Sequence, residues 1–188
     1  MTGTPIVATL TIRMAICGTF MPGSVKGPTV ITNCMNRGKP VLKDWQQGLL
    51  NKAFEQAQKS FDEGGLPIGA ALAKGEELIA VGHNRRFQDG DPIAHGEMDC
   101  FRQAGRRRDY QDLTLYTTLS PCMMCAGTII QFGIPRVVIG EDKNFPGNAD
   151  FLAERGVDVI IADDAECIAL MAKLIAEKPE LWAEDIAE

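Results

Sequence analysis

From residue 113 to residue 135 the chain runs for 23 residues without a formal charge. A stretch of that length either crosses a bilayer or is buried inside a folded domain. Its composition decides between the two. Thr114, Thr117, Thr118, Ser120, Pro121, Thr128 and Gln131 interrupt the apolar residues, and the period changes midway. Residues 113–119 read as a strand, and a Ser-Pro turn leads into a helix over 122–132. The segment is therefore expected to be a buried strand–loop–helix unit and not a membrane span.

A strand buried on both faces needs covering layers. The flanking pattern supplies them. Leu49, Leu50, Ala53, Phe54, Ala57 and Phe61 recur at helical spacing, and Gly64-Gly65 ends the run. Two short apolar runs, 68–73 and 78–82, are separated by Lys74-Gly75-Glu76-Glu77, a hairpin pattern. A polar loop follows to about Ala94, then a short helix from His95 to about Gly105. Beyond the uncharged unit come strands at 136–140 and 157–162 with a helical turn from Ala149 between them. An amphipathic helix carries Cys167, Leu170, Met171, Leu174 and Ile175. Pro179 opens a last helix with Leu181, Trp182 and Ile186. The order α-β-β-α-β-α-β-α-β-α-α predicts an α/β three-layer sandwich. Its five-stranded mixed sheet has a β1–β2 hairpin, a mostly parallel remainder and helices on both faces.

Charge divides the chain. Residues 1–43 hold five basic residues and no acidic one, whereas the remainder holds 14 basic and 25 acidic, a balance of −11 within an overall −6. The first 43 residues show no sustained period, and Arg13 interrupts their apolar stretch. They are expected to be an N-terminal extension without a fold, with an organellar transit segment as the minor reading. Residues 44–188 are expected to form the functional domain. Its acidity argues against nucleic-acid and anionic-membrane partners. Arg106-Arg107-Arg108 is the one basic cluster, and Asp109 and Asp112 beside it make it a solvated face. No phosphate-binding glycine loop is present.

Six cysteines in 188 residues are not a disulfide scaffold. Four of them, including Cys100, read as small buried side chains. Cys122 and Cys125 form a C-x-x-C in which both thiols can face one ion from a first helical turn. Zn2+ prefers thiolate and imidazole, and only two histidines exist, His83 and His95. His83 reads as a structural hydrogen-bonder, leaving His95 as the third metal ligand. Three protein ligands leave a fourth position for water, which marks a catalytic metal site. Glu97 can then stand beside that water as a proton carrier. A structural zinc site and thiol redox chemistry are the alternatives at this point.

The ordered pair, His95-Gly96-Glu97 and then Pro121-Cys122-Met123-Met124-Cys125, matches the H-x-E…P-C-x-x-C signature of the zinc deaminases. Over residues 44–188 the chain resembles the cytidine deaminase-like superfamily, and within it the cytosine deaminases of the fungal type. Further matching motifs are Gly64-Gly65-Leu66-Pro67-Ile68-Gly69, the run from Gly82 to Gln88, Thr117-Thr118-Leu119-Ser120-Pro121-Cys122, Gly133-Ile134-Pro135-Arg136 and the ending Trp182-Ala183-Glu184-Asp185-Ile186. The resemblance implies one catalytic zinc on His95, Cys122 and Cys125, with Glu97 as proton shuttle. It implies hydrogen bonds to the pyrimidine from Asn84 and Asp185, walls from Ile68, Phe145 and Trp182, and backbone contacts around Gly96 and Ser120. It further implies a cytoplasmic homodimer in pyrimidine salvage that hydrolyses free cytosine to uracil and ammonia. Rival substrates are guanine, isocytosine or creatinine, and more remotely an adenosine of tRNA. Gly147-Asn148, Ala183 and Ala187 depart from the usual family pattern.

Overall fold

The computed structural model describes residues 41–186. Of the expected extension, all but 41–43 lies outside the described residues, as do Cys17, Cys34 and Ala187. Helix α1, Asp44–Asp62, starts where the periodicity starts. The Gln46 side chain fixes that end by accepting from the Lys43 N–H at 3.1 Å. Strands β1 (Gly69–Lys74) and β2 (Glu77–His83) form the predicted hairpin. The loop after it is not wholly irregular. A single helical turn, α2 (Arg86–Asp89), interrupts it, too short and too polar to show a period. Next come α3 (Gly96–Ala104), a 3-10 turn at Tyr110–Asp112, and β3 (Thr114–Leu119). The chain continues through α4 (Met123–Phe132), β4 (Arg136–Glu141), α5 (Ala149–Glu154) and β5 (Asp158–Ile161). It ends in α6 (Ala165–Glu177) and α7 (Pro179–Ile186).

The strands lie in the order β2-β1-β3-β4-β5. β1 pairs antiparallel with both β2 and β3, while β3, β4 and β5 pair parallel. β1 is thus the one strand running against the other four. Alternation along the strands splits the core between the two faces. Ala70, Leu72, Leu115, Val137 and Ile139 pack against Cys100, Phe101, Ala126 and Ile129 from α3 and α4. Ala71, Ala73, Tyr116 and Val138 face Leu49, Leu50 and Ala53 of α1. A third cluster gathers Leu66, Ile68, Leu119, Met171, Leu174 and Trp182, with Phe145 and Ile186 against it. This third cluster brings α7 to the carboxyl end of β3. Among the described residues no helix is long and apolar enough to cross a membrane.

Candidate active site

The parallel strands aim their carboxyl ends at the amino ends of α3 and α4, the crevice where open α/β sheets commonly bind ligands. His95 occupies the N-cap position of α3 and Cys122 that of α4, both with extended backbone. Glu97 lies in the first turn of α3 and Cys125 in the first turn of α4. The two helix starts converge, so that His95 Nδ1 lies 3.4 Å from Cys122 Sγ. One ligand atom each from His95, Cys122 and Cys125 falls within 4.8 Å of the others. Tetrahedral zinc with ordinary bond lengths sets its nitrogen and sulfur ligands about 3.5 Å apart. The donor set and its spacing fit that ion.

Electrostatics agree. The Cys125 thiol, donating to Cys122, and the neighbouring imidazole hold Cys122 down to about 4. The same contact and burial push Cys125 well up. A cation shared by both sulfurs removes this asymmetry by favouring two thiolates. Burial opposes the charged form of His95, but the Cys122 sulfur together with the Glu97 and Asp185 carboxylates outweighs it and raises the imidazole above its ordinary range.

Glu97 is 2% exposed. Its Oε1 accepts from Thr117 Oγ1 at 3.2 Å, and its Oε2 from Cys125 Sγ at 3.4 Å. Burial raises its carboxyl above the usual range, and the charge on Cys122 adds to the effect. A carboxyl with its affinity for protons raised in this way is better suited to hold and hand on a proton than a free one.

Above this floor is a cavity of about 190 Å3 lined by Ile68, His95, Glu97, Leu119, Ser120, Cys122, Phe145, Trp182, Asp185 and Ile186. Phe145 and Trp182 meet edge to face with centroids 5.9 Å apart. Burial raises the Asp185 carboxyl, against the pull of His95 and Arg86. Asn84 and Gly96 are buried beside the cavity without lining it. The Asn84 N–H donates to the Ile68 carbonyl at 2.8 Å. The Asn84 side-chain Nδ2 is buried and, among the described residues, has no hydrogen-bond partner. Residues 43–141 match the family described as the cytidine and deoxycytidylate deaminase zinc-binding region.

The chain belongs to this deaminase family. It is a zinc-dependent hydrolytic deaminase. It is 50% identical over 142 residues to a cytosine deaminase of Candida albicans, covering 74% of this chain and 95% of that one. It is 34% identical over 116 residues to a tRNA-specific adenosine deaminase of Streptococcus pyogenes serotype M18, with 60% and 73% covered. A solved structure from work on tRNA:A34 deaminases superposes with a TM-score of 0.58 at 27% identity, covering 66% of this chain and 99% of that one.

Three parts of the candidate site have no role in the sequence reading. Thr117, on β3, holds Glu97. Leu119 and Ile186 line the cavity. Glu141, fully buried, accepts from the Lys143 N–H at 2.6 Å and from the Asn144 N–H and Nδ2 at 3.0 Å each, organising the loop that carries Phe145. Two of the residues that depart from the family pattern, Gly147 and Asn148, complete that loop. Asn148 donates its backbone N–H and its Nδ2 to the Pro121 carbonyl, at 2.9 and 3.2 Å. Gly147 has φ +56, and a Cβ there would lie 2.5 Å from Ser120 Oγ. His83 stands apart, its Nε2 3.2 Å from Glu63. Asp99 accepts from the His83 N–H at 3.2 Å, and Cys100 is buried against β2. Arg107 pairs with Asp109 at 2.9 Å.

Proposed function

We propose that this deaminase hydrolyses free cytosine to uracil and ammonia. The observation that carries the reading is the small cavity beneath α7, in which the Asp185 carboxylate faces a wall of Phe145 and Trp182 above the His/Cys/Cys floor. A space of about 190 Å3 is on the scale of one flat base. In this reading Asn84 donates to the ring carbonyl and Asp185 accepts from a ring N–H. Ile68, Phe145 and Trp182 bury the ring faces, and the backbone at Gly96 and Ser120 completes the contacts. His95, Cys122 and Cys125 would hold the zinc. When bound, that ion supplies Lewis acidity and makes water a nucleophile near neutral pH. Glu97 takes one proton from the attacking water and gives it to the ring nitrogen next to C4; it then takes the second proton from the oxygen now on C4 and gives it to the amine as the C4–N bond breaks. The hydrogen bond from Thr117 helps keep the carboxyl in one orientation for both transfers.

The same reading makes the enzyme a homodimer. Helix α4 carries no formal charge, yet Met123 and Gly127 on its outer side are exposed, which suits burial against a second copy. It also makes the enzyme a cytoplasmic one serving pyrimidine salvage. The free thiols at Cys100, Cys122, Cys125 and Cys167 suit a reducing compartment.

The test is ammonia release by zinc-loaded protein offered cytosine, cytidine, guanine, isocytosine, creatinine and adenosine in parallel. Cytosine is expected to be turned over and cytidine not. Turnover of cytidine without cytosine overturns the reading.

A further inference from the structure

Arg86 opens α2 and lies two residues beyond Asn84. It touches both polar side chains given to base recognition above, from two different sides. Its backbone N–H donates to Asn84 Oδ1 at 3.0 Å. Its guanidinium, 19% exposed, pairs through Nη1 with Asp185 Oδ1, and its Nη2 lies 3.7 Å from Glu184. Among the described residues, every ion pair of α7 ends on this one arginine.

These contacts have a chemical consequence. With Oδ1 engaged, the Asn84 amide leaves Nδ2 as its free group, and that atom is buried and without a partner among the described residues. Asp185, with Oδ1 held by the guanidinium, leaves its other oxygen to accept. On the recognition roles given above, Asn84 then supplies a donor and Asp185 an acceptor. The complement of the pair is a ring N–H next to a ring carbonyl. A base substituted on that nitrogen has no hydrogen to give and would strand a buried carboxylate oxygen, and sites of this kind reject the wrong ligand strongly.

We propose that Arg86 is a positioning residue that sets Asn84 as donor and Asp185 as acceptor, so that the site selects a free base with an unsubstituted N–H beside a carbonyl. The proposal rests on the recognition roles given above to Asn84 and Asp185. It predicts that Arg86 and Asp185 couple in kcat/KM for the base, and not only in stability as any contacting ion pair would.

The experiment is a double-mutant cycle on the full-length, zinc-loaded enzyme with Arg86→Ala, Asp185→Asn and the double variant. Zinc content and circular dichroism accompany each kinetic measurement. Arg86→Ala is expected to lower kcat/KM for cytosine about 30-fold, the scale of one charge-assisted hydrogen bond. The double variant is expected to lose no more than Asp185→Asn alone. Arg86→Lys, which keeps a cation against Asp185, is expected to recover most of the loss and to serve if the alanine variant folds poorly. Discrimination between cytosine and 1-methylcytosine is expected to fall in Arg86→Ala, and this a purely structural defect would not produce. Additive losses in the cycle, or unchanged kinetics in Arg86→Ala, overturn the proposal. The cycle is run on cytosine and on whichever free base the wild type turns over fastest. A wild type preferring another free base overturns the cytosine reading alone, and the cycle on that base still judges Arg86.

Discussion

Replacing Gly96 by alanine perturbs the geometry of the site while leaving every reactive group in place. Gly96 stands between His95 and Glu97, where the first turn of α3 crosses the start of β1. A Cβ there would lie 2.7 Å from the Ile68 carbonyl oxygen, 3.1 Å from its carbon and 3.4 Å from Gly69 Cα. All three are backbone atoms and cannot rotate away. Ordinary contact begins near 3.4 Å, so the turn and the strand must part by 0.7 Å at this point. Overpacking of this kind costs about 1–3 kcal/mol of stability. The displaced turn carries His95 and Glu97 with it, and a shift approaching 1 Å lowers turnover on the order of 10–100-fold. The control is Gly48→Ala, on the exposed side of α1, where a Cβ meets no described atom within 4 Å. That change is expected to stabilise by about 0.5–1 kcal/mol through helix propensity and to leave turnover alone. Urea unfolding, zinc stoichiometry and kcat measured on both variants check the pair. Wild-type stability and turnover in Gly96→Ala would refute the argument from close approach.

Thr117→Val keeps the shape of the side chain and removes the hydroxyl that donates to Glu97 at 3.2 Å. It is expected to lower kcat by about 3–10-fold, the scale of one neutral hydrogen bond, with zinc retained; unchanged kcat would contradict a positioning role for Thr117. Removal of zinc by a chelator is expected to abolish ammonia release and lower the melting temperature, both restored by added Zn2+, because the ion binds the folded site. Full activity in metal-stripped protein would contradict this. Asp164→Ala removes the α6 N-cap, whose side chain accepts from the Glu166 and Cys167 N–H groups at 3.0 and 3.1 Å. A loss of about 1 kcal/mol in urea unfolding is expected, with kcat unchanged.

The parts of this fold that were legible in the sequence are those where one period runs long enough to be read. The heptad-like spacing of Leu49, Leu50, Ala53 and Ala57 placed α1, and the two runs around Lys74-Gly75 placed the hairpin. The strand order was not legible. Which neighbour β1 takes on its second edge depends on side chains meeting across the sheet, as Ala71 and Tyr116 do, and no local pattern encodes that. The zinc ligands and Glu97 stood out because a metal demands fixed residue types at short spacing. Thr117 lies in a matching motif, but its role was not legible, because its partner lies 20 residues away. Arg86 was hidden because its ion-pair partner Asp185 lies 99 residues away, and Glu141 because its contacts to Lys143 and Asn144 close one turn and leave no period. The 83–94 loop concealed α2 because one turn of Arg86–Asp89 is shorter than any period that could reveal it.

Glu97→Gln tests the central claim most directly. Glutamine keeps the size of the side chain and a hydrogen-bonding end, but it cannot accept and return a proton at neutral pH. Wild type and variant are to be compared for zinc content, folding and ammonia release from cytosine. The variant is expected to bind zinc and fold as the wild type does, and to lose turnover. Turnover near the wild-type rate in a zinc-loaded Glu97→Gln enzyme would contradict the assignment of Glu97 as the proton carrier, and the mechanism with it.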